Sequence, residues 1–171
     1  MTHQYPIALA LGGNIGDVAA TFRAVATALE KSGISHLKCS SAYQTAPVGC
    51  APGTPDFLNA ALIGTWGGSV AGLHALCKSM EEQFGRPRDH ESNVSRTLDL
   101  DIIFFGNAII NTPELTIPHK EAARRLFVLL PLAEIAADWD YPGIGCSVGE
   151  MLEKLRHTPD YPQIAASRQP L

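Results

Sequence analysis

Residues 96–105 read Arg96-Thr97-Leu98-Asp99-Leu100-Asp101-Ile102-Ile103-Phe104-Phe105, and our fold prediction starts from them. Branched and aromatic side chains dominate this run and the turn-forming pair Gly106-Asn107 follows it, so it predicts a buried β-strand. Because side chains alternate along a strand, Asp99 and Asp101 should point to the same face, about 6.6 Å apart. The opposite face is then predicted to carry Leu98, Leu100, Ile102 and Phe104.

The aspartate pair admits two interpretations. Two carboxylates on one face of an apolar strand repel each other and lose hydration, a cost that nearby cations offset. Mg²⁺ suits such a pair, because it takes oxygen ligands and is usually held by one or two carboxylates together with substrate phosphates. The alternative is a strand with one solvated face on which two aspartates lie by chance. The spacing alone leaves both interpretations open.

The chain as a whole has the composition of one soluble globular domain. It contains 171 residues, of which 46% are hydrophobic and 18% are charged. A chain of this length can bury one core well but is short for two. We therefore expect a single domain over 1–171, with a core at about 7–155 and an irregular tail at 156–171.

Several classes of protein are disfavoured by composition. No apolar run approaches the roughly 20 residues of a membrane span, and the first residues lack the features of a secretory signal. The four cysteines show no metal-ligand spacing, and the net charge is −4, which argues against a general nucleic-acid surface. We expect a cytoplasmic monomer with free thiols that binds neither nucleic acid nor membrane.

Positive charge is concentrated around the aspartate strand. The cations of this region are Arg86, Arg88, Arg96, Lys120, Arg124 and Arg125, with His90 and His119 among them. Cations near paired carboxylates favour a metal-bound polyphosphate as ligand. Solvated charges on loops are the alternative for any one of these arginines.

Hydrophobic periodicity predicts alternating strands and helices. Strands are predicted at 7–11, 34–43, 57–63 and 96–105. Helices are predicted from Asp17 to Ser32 and from Ser69 to Gly85. Residues 108–110 should form a hairpin with the aspartate strand, and Pro131 should interrupt a helix at 125–135. This order predicts an α+β fold with a ferredoxin-like βαββαβ core, an antiparallel sheet, an extra hairpin and C-terminal helices.

Two segments without periodicity are candidates for function. Residues 44–55 form a long Pro/Gly-rich loop, and residues 86–95 form a charged segment that we interpret as a lid. After the first loop, Phe57 and Asn59 fall on one face of the predicted strand. An aromatic ring beside an amide can hold a flat heterocycle, although both residues are also common at ordinary strand edges.

Several motifs occur in one order along the chain, and together they resemble the 6-hydroxymethyl-7,8-dihydropterin pyrophosphokinases of folate biosynthesis. The resemblance extends from about Ile7 to about Ile135. The sequences that carry it are Leu11-Gly12-Gly13-Asn14-Ile15-Gly16-Asp17, Tyr43-Gln44-Thr45-Ala46-Pro47-Val48-Gly49, Asp56-Phe57-Leu58-Asn59-Ala60-Ala61, Arg96-Thr97-Leu98-Asp99-Leu100-Asp101-Ile102 and Ile117-Pro118-His119.

The resemblance implies a reaction and a set of site residues. The reaction is Mg²⁺-dependent transfer of pyrophosphate from ATP to the hydroxymethyl oxygen of the pterin, and the fold is ferredoxin-like. Two magnesium ions would be held by Asp99 and Asp101, with Arg86 and Arg96 as the catalytic arginines. Nucleotide contacts are implied for Glu81, Arg86, Arg88, Arg96, Ile102, Thr116, His119 and Arg125. Pterin contacts are implied for Gly12, Thr45, Val48, Phe57, Asn59, Asp99 and Phe127, of which Phe57 and Phe127 would sandwich the ring.

Three other functions compete with this one. A non-catalytic ligand-sensing domain explains the fold but not the aspartate pair with its arginines. An RNA-binding domain would need exposed aromatics and basic residues on its sheet, where this acidic chain has Leu-Asp-Leu-Asp. A two-metal nucleotidyltransferase or nuclease is the stronger rival, because paired carboxylates serve there too.

Overall fold

A computed structural model of the chain describes residues 3–47, 49–85, 95–158 and 167–171. Its strands are β1 (Tyr5–Gly13), β2 (Ser35–Cys39), β3 (Ala42–Thr45), β4 (Phe57–Trp66), β5 (Asp99–Phe105), β6 (Ile110–Asn111), β7 (Thr116–Ile117) and β8 (Ser167–Gln169). Its helices are α1 (Val18–Lys31), α2 (Val70–Gln83), α3 (Leu126–Ala136) and α4 (Val148–Arg156), with a 3₁₀ turn at Ala122–Arg124. No helix within these ranges is long and apolar enough to cross a membrane.

The main sheet is antiparallel throughout, in the order β5-β1-β4-β3-β8, with β2 also paired to β4. The predicted mixture of helices with an antiparallel sheet is therefore confirmed. The single strand predicted at 34–43 is wrong, because the chain breaks at Ser40 into β2 and β3. There the Ser40 hydroxyl accepts a hydrogen bond from the Ala61 amide and donates one to the Ser41 carbonyl, which replaces ladder bonds at a break of this kind.

Helices cover both faces of the sheet. On one face α1 and α2 pack with Leu9, Leu11 and Leu100. On the other face α3 and α4 pack with Ala8, Ile103 and other residues of the sheet. The predicted caps are present, since the Asp17 and Ser69 side chains accept hydrogen bonds from the first turns of α1 and α2, which satisfies amide groups that have no helical partner.

A register shift changes which residues of β5 share a face. Leu9 pairs with Ile102 and Ala8 pairs with Phe104, so the ladder skips Ile103. An extra residue reverses the alternation beyond it. Phe104 therefore packs on the α3 side, and Phe105 joins Leu100 on the other side. The prediction that Phe104 shares a face with Leu98, Leu100 and Ile102 is wrong.

The segment after β5 also differs from its prediction. Gly106 and Asn107 form the expected turn, but β6 pairs with β7 instead of β5. Pro131 lies buried inside α3 and does not end the helix. A proline removes one helical hydrogen bond and opposes helix continuation, and here the burial of Val128, Leu129 and Leu132 around it outweighs that cost.

The described part of the C-terminal segment differs from the irregular tail predicted at 156–171. Residues 159–166 lie outside the described ranges, but beyond them β8 adds a strand to the open edge of β3. The prediction of irregular structure is therefore wrong for residues 167–169. An exposed strand edge offers unpaired backbone groups, and composition does not reveal that a polar tail will fill them.

Candidate active site

The two aspartates of β5 lie on the face covered by α3, at the end of the sheet where β5 begins. Their side chains are 27% exposed for Asp99 and 35% exposed for Asp101, so both are within reach of solvent. The Arg96 guanidinium donates a hydrogen bond to Asp99 at 3.0 Å. Repulsion between the two carboxylates is thus partly offset inside the protein.

A notch separates Asp99 from the next side chain on this face. Across the sheet, Asp99 pairs with Gly12, which pairs with Asn59, so all three residues project to the same side. A Cβ added at Gly12 would lie 3.5 Å from the Asn59 Oδ1 and 3.9 Å from the Asp99 Cβ. The missing side chain leaves a space in which a ligand can touch a carboxylate and an amide together.

Asn59 is buried and its amide is oriented by the neighbouring strand. Its Nδ2 donates to the Thr45 hydroxyl at 2.7 Å and lies 3.5 Å from the Tyr43 carbonyl oxygen. Because the NH₂ group is engaged on the β3 side, the Oδ1 faces the notch at Gly12. This oxygen is available as an acceptor for an N–H group of a ligand.

Two aromatic rings frame the same end of the sheet, each beside an arginine. The guanidinium of Arg96 lies 5.5 Å from the centre of the Phe57 ring, and that of Arg125 lies 5.6 Å from the Phe127 ring. Such distances allow cation–π attraction. Phe57 begins β4, and Phe127 lies in the first turn of α3, so one ring belongs to the sheet and the other to the helix that covers it.

His119 faces the second aspartate from the loop after β7. Its Nε2 is 4.0 Å from the Asp101 Oδ2, and its Nδ1 accepts a hydrogen bond from the Glu121 amide at 3.3 Å. Burial and the positive charge of Arg125 lower the pKa of His119. The backbone amide of His119 also donates to the Ile103 carbonyl, which holds this loop against β5.

Glu81 occupies the outer edge of β5. It is buried, and its Oε1 accepts a hydrogen bond from the Leu100 amide at 2.8 Å while Lys78 donates to its Oε2. In the antiparallel ladder, Leu100 and Ile102 have the same relation to β1, so the Ile102 backbone also points to this outer edge. Both predicted nucleotide-side residues therefore lie at one edge, beside the aspartates.

The remaining predicted residues divide into two groups. Thr116 lies on β7, and Ile117 and Pro118 separate it from His119. Val48, Arg86 and Arg88 lie outside the described residues, as does the proposed lid apart from Ser95. Within the described ranges, the structure brings the predicted pterin and metal residues to one end of the sheet.

Asn14 is a residue of this site that the sequence analysis missed. It is buried, its amide donates to the Pro55 carbonyl at 3.1 Å, and its Oδ1 accepts from the Arg96 amide at 2.8 Å. It therefore ties the turn after β1 to the long loop and to the arginine before β5. Its place directly after Gly12-Gly13 was a usable signal, since asparagine in a glycine turn often bonds to backbone.

The donor set is suited to Mg²⁺. In the described part of the chain, no three His, Cys, Asp or Glu side chains converge as a metal cage. Mg²⁺ rarely needs such a cage, because it keeps water and binds substrate phosphates in addition to one or two carboxylates. Two solvent-accessible aspartates on one strand face meet that requirement.

Comparison with protein families gives a match that covers most of the chain. Residues 8–137 match the model of the family described as 7,8-dihydro-6-hydroxymethylpterin-pyrophosphokinase (HPPK). A 2-amino-4-hydroxy-6-hydroxymethyldihydropteridine pyrophosphokinase of Synechocystis is 39% identical over 89% of this chain and 77% of its own length. The Bacillus subtilis protein of the same name is 40% identical over 74% of this chain and 75% of its own.

Longer relatives contain the same region. A mitochondrial folate synthesis bifunctional protein of Arabidopsis thaliana is 36% identical over 77% of this chain and 24% of its own length. Among solved structures, a Plasmodium falciparum HPPK-DHPS matches with a TM-score of 0.74 and 13% identity. That match covers 98% of this chain and 49% of the solved chain, so it supports the fold, and the present chain spans about half of the solved one.

Proposed function

Because the chain belongs to the 7,8-dihydro-6-hydroxymethylpterin-pyrophosphokinase family, we propose that it transfers pyrophosphate from ATP to 6-hydroxymethyl-7,8-dihydropterin. AMP and the pterin diphosphate are the products, and the reaction belongs to folate synthesis. The observation that carries this proposal is the row Asp99–Gly12–Asn59, which places a carboxylate and a ligand-directed amide on either side of a notch.

The pterin side of the site is proposed at this notch. The Asn59 Oδ1 accepts a hydrogen bond from the edge of the ring, and Gly12 leaves room for the ring. Thr45 fixes the Asn59 amide. The rings of Phe57 and Phe127 supply the flat surfaces for stacking. Val48 is proposed as a further contact on the strength of the resemblance alone.

The nucleotide side is proposed along the outer edge of β5. Asp99 and Asp101 would hold Mg²⁺, which would supply charge neutralisation and orientation of the triphosphate. Two ions are proposed. Positive side chains are proposed to face the phosphates. The further nucleotide contacts come from the outer edge of β5 and from β7. The phosphate-side set is Arg86, Arg88, Arg96, His119 and Arg125, and the further nucleotide contacts are Glu81, Ile102 and Thr116.

The chemistry needs positioning and charge stabilisation more than a strong base. The pterin hydroxymethyl oxygen forms a bond to the β-phosphorus of ATP, and the bond from that phosphorus to the oxygen of the α-phosphate breaks. AMP leaves with that oxygen, and the hydroxyl proton passes to solvent. Arg96 donates to Asp99 from its guanidinium and to the Asn14 Oδ1 from its backbone amide, and it stabilises charge on the transferred group.

One incubation tests the reaction. We expect ATP, Mg²⁺ and 6-hydroxymethyl-7,8-dihydropterin to yield AMP and pterin diphosphate in equal amounts, measured by anion-exchange chromatography. ADP as the nucleotide product would contradict pyrophosphoryl transfer. Nucleotide consumption in the absence of pterin would favour the nuclease-like rival.

Further features of the protein belong to the same proposal. The sheet order β5-β1-β4-β3 with α1 and α2 on one face supports assignment to the ferredoxin-like class. We propose a single domain for 1–171 and a monomer in the cytoplasm. Sedimentation of the purified chain at the 18.3 kDa of one copy checks the oligomeric state.

A further inference from the structure

The row of paired residues Asp99–Gly12–Asn59 continues across the sheet onto β3 and β8. Asn59 pairs with Tyr43 on β3, and Tyr43 pairs with Arg168 on the C-terminal strand β8. Directly paired residues in antiparallel strands project to the same face. The side chains from Asp99 at one edge to Arg168 at the other therefore all point towards α3.

The Glu134 carboxylate of α3 accepts hydrogen bonds from Tyr43 and Arg168, the two residues at the β8 end of this row. Glu134 Oε2 accepts a hydrogen bond from the Tyr43 hydroxyl at 2.6 Å, and its Oε1 accepts from Arg168 at 3.1 Å. The same Oε1 accepts from the Ser41 amide and hydroxyl at 3.1 and 2.9 Å. Arg168 closes the cluster by donating from its Nε to the Ser41 hydroxyl at 3.0 Å. Three elements, β3, β8 and α3, thus meet at one side chain.

The two elements that Glu134 joins, α3 and β3, each carry or hold a residue proposed to bind the pterin. Phe127 and Glu134 are seven residues apart on α3, so they lie on the same side of the helix, about 10 Å apart. On β3, the strand that binds Glu134 also holds the Asn59 amide, through the Tyr43 carbonyl and the Thr45 hydroxyl. The position of α3 against β3 therefore sets the distance between the Phe127 ring and the Asn59 amide.

The pKa shifts of Glu134 and Tyr43 favour the protonation states that their hydrogen bond needs. Burial raises the pKa of Glu134, but hydrogen bonds from Tyr43 and Ser41 and the charge of Arg168 outweigh this effect and lower it. Burial and the Glu134 carboxylate together raise the pKa of Tyr43 to about 12. At neutral pH the carboxylate is ionised and the phenol is protonated, which is the combination that a charge-assisted hydrogen bond requires.

We propose that Glu134 is a positioning residue for pterin binding, and that Tyr43 and Arg168 act through it. The cluster holds β3 against α3 so that the ring-stacking and hydrogen-bonding groups are set before the substrate arrives. In this arrangement the C-terminal strand contributes to substrate affinity without touching the substrate. The inference rests on the proposed function, because it assigns Asn59 and Phe127 to the pterin.

Pterin affinity and steady-state kinetics test the proposal in Tyr43→Phe, Arg168→Gln and Glu134→Gln. Tyr43→Phe and Glu134→Gln remove a hydroxyl or a charge at nearly constant volume, and Arg168→Gln removes the charge with a shorter polar side chain. We expect the Kd and KM for 6-hydroxymethyl-7,8-dihydropterin to rise about three- to tenfold, the range for one lost hydrogen bond. The KM for ATP and kcat should stay within about twofold, because the aspartates lie at the other end of the row. Arg168→Lys keeps the positive charge and should restore part of the affinity.

The matched control is Arg156→Gln, which removes an exposed arginine–glutamate pair, Arg156 to Glu153 at 2.8 Å on α4. It should leave the Kd and KM for both substrates unchanged.

Equal pterin affinity in all variants and wild type would overturn the inference. Parallel weakening of binding for both substrates would also overturn it, because this indicates general destabilisation. If Glu134→Gln does not fold, the pterin affinities of Tyr43→Phe and Arg168→Gln still test the inference. Wild-type protein that neither binds pterin nor releases AMP would contradict the proposed function itself, and the inference with it.

Discussion

At the scale of single residues, the two aspartates of β5 are not equivalent. Asp99 forms an ion pair with Arg96 at 3.0 Å, whereas Asp101 faces His119 at the longer distance of 4.0 Å. Removing the Asp99 charge therefore breaks a polar contact as well as a proposed metal site. Removing either charge also relieves repulsion between the carboxylates.

We predict that Asp99→Asn and Asp101→Asn each lower Mg²⁺-dependent turnover at least about a hundredfold, since the proposed metal site loses one of two carboxylates. The free energy of unfolding should fall by about 1 kcal/mol or less in Asp99→Asn, because a part-exposed ion pair contributes little. It should change by no more than this in Asp101→Asn, because the Asp101 side chain is also partly exposed. AMP release and urea denaturation provide the measurements. Asp138→Asn, in the exposed turn after α3, is the control and should retain normal activity.

Leu100, between the two aspartates, should affect stability and not Mg²⁺-dependent turnover. Leu100 is 1% exposed and packs in the core on the α1 and α2 side. Leu100→Ala should lower the free energy of unfolding by roughly 2–5 kcal/mol through the cavity it leaves, while the dependence of turnover on Mg²⁺ concentration stays normal. Near-normal Mg²⁺ dependence in either aspartate variant would contradict the metal assignment.

At the scale of elements, the site depends on how closely β1 approaches the segment before β5. A Cβ added at Gly13 would lie 2.6 Å from the Thr97 carbonyl oxygen and 3.2 Å from Val18. The backbone cannot accommodate this contact without moving apart, and the residues that would move include Arg96 and Asp99. The glycine is needed here for close approach of two backbones.

We predict that Gly13→Ala lowers the free energy of unfolding by about 1–3 kcal/mol, as overpacking does, and lowers kcat/KM at least about tenfold because the reacting groups are misplaced. Thermal melting and initial rates test this. Gly72→Ala is the matched control, because its Cβ would meet only Ser69 Oγ at 3.4 Å and Trp66 at 3.8 Å, and alanine favours a helix by up to about 1 kcal/mol. Equal stability and activity in the two variants would show that the close approach does not matter.

At the scale of the whole molecule, the hydrophobic cores lie on the two sheet faces and the proposed metal site lies at one end of the sheet. The cores contain aliphatic and aromatic residues from all the major elements. The aspartates remain partly exposed. Folding and metal binding should therefore be separable.

We predict that EDTA stops AMP release, that added Mg²⁺ restores it, and that the melting temperature of the ligand-free protein is the same in both conditions. Mg²⁺ with a non-hydrolysable ATP analogue should raise the melting temperature, because a ligand that binds only the folded state stabilises it. Differential scanning calorimetry measures both effects. A fall of several degrees on chelation alone would instead indicate a structural metal ion.

The sequence by itself determined the elements whose patterns are local. Alternation predicted the shared face of Asp99 and Asp101, periodicity and capping side chains predicted α1 and α2, and the motif order predicted the family. Each of these depends on neighbours within a few residues, where side-chain spacing and backbone preference act directly. The family resemblance also selected Gly12 and Asn59, but it did not explain their geometry.

The tertiary structure alone decided features that depend on contacts distant in sequence. The extra residue at Ile103 turned Phe104 to the other face, β6 paired with β7, and Asn14 bound Arg96 from 82 positions away. The cluster around Glu134 joins residues from β3, α3 and β8. Such pairings compete with others of similar backbone energy, and packing of the complete sheet selects among them. Local patterns therefore could not predict that the C-terminal residues would lie beside the pterin-side strand.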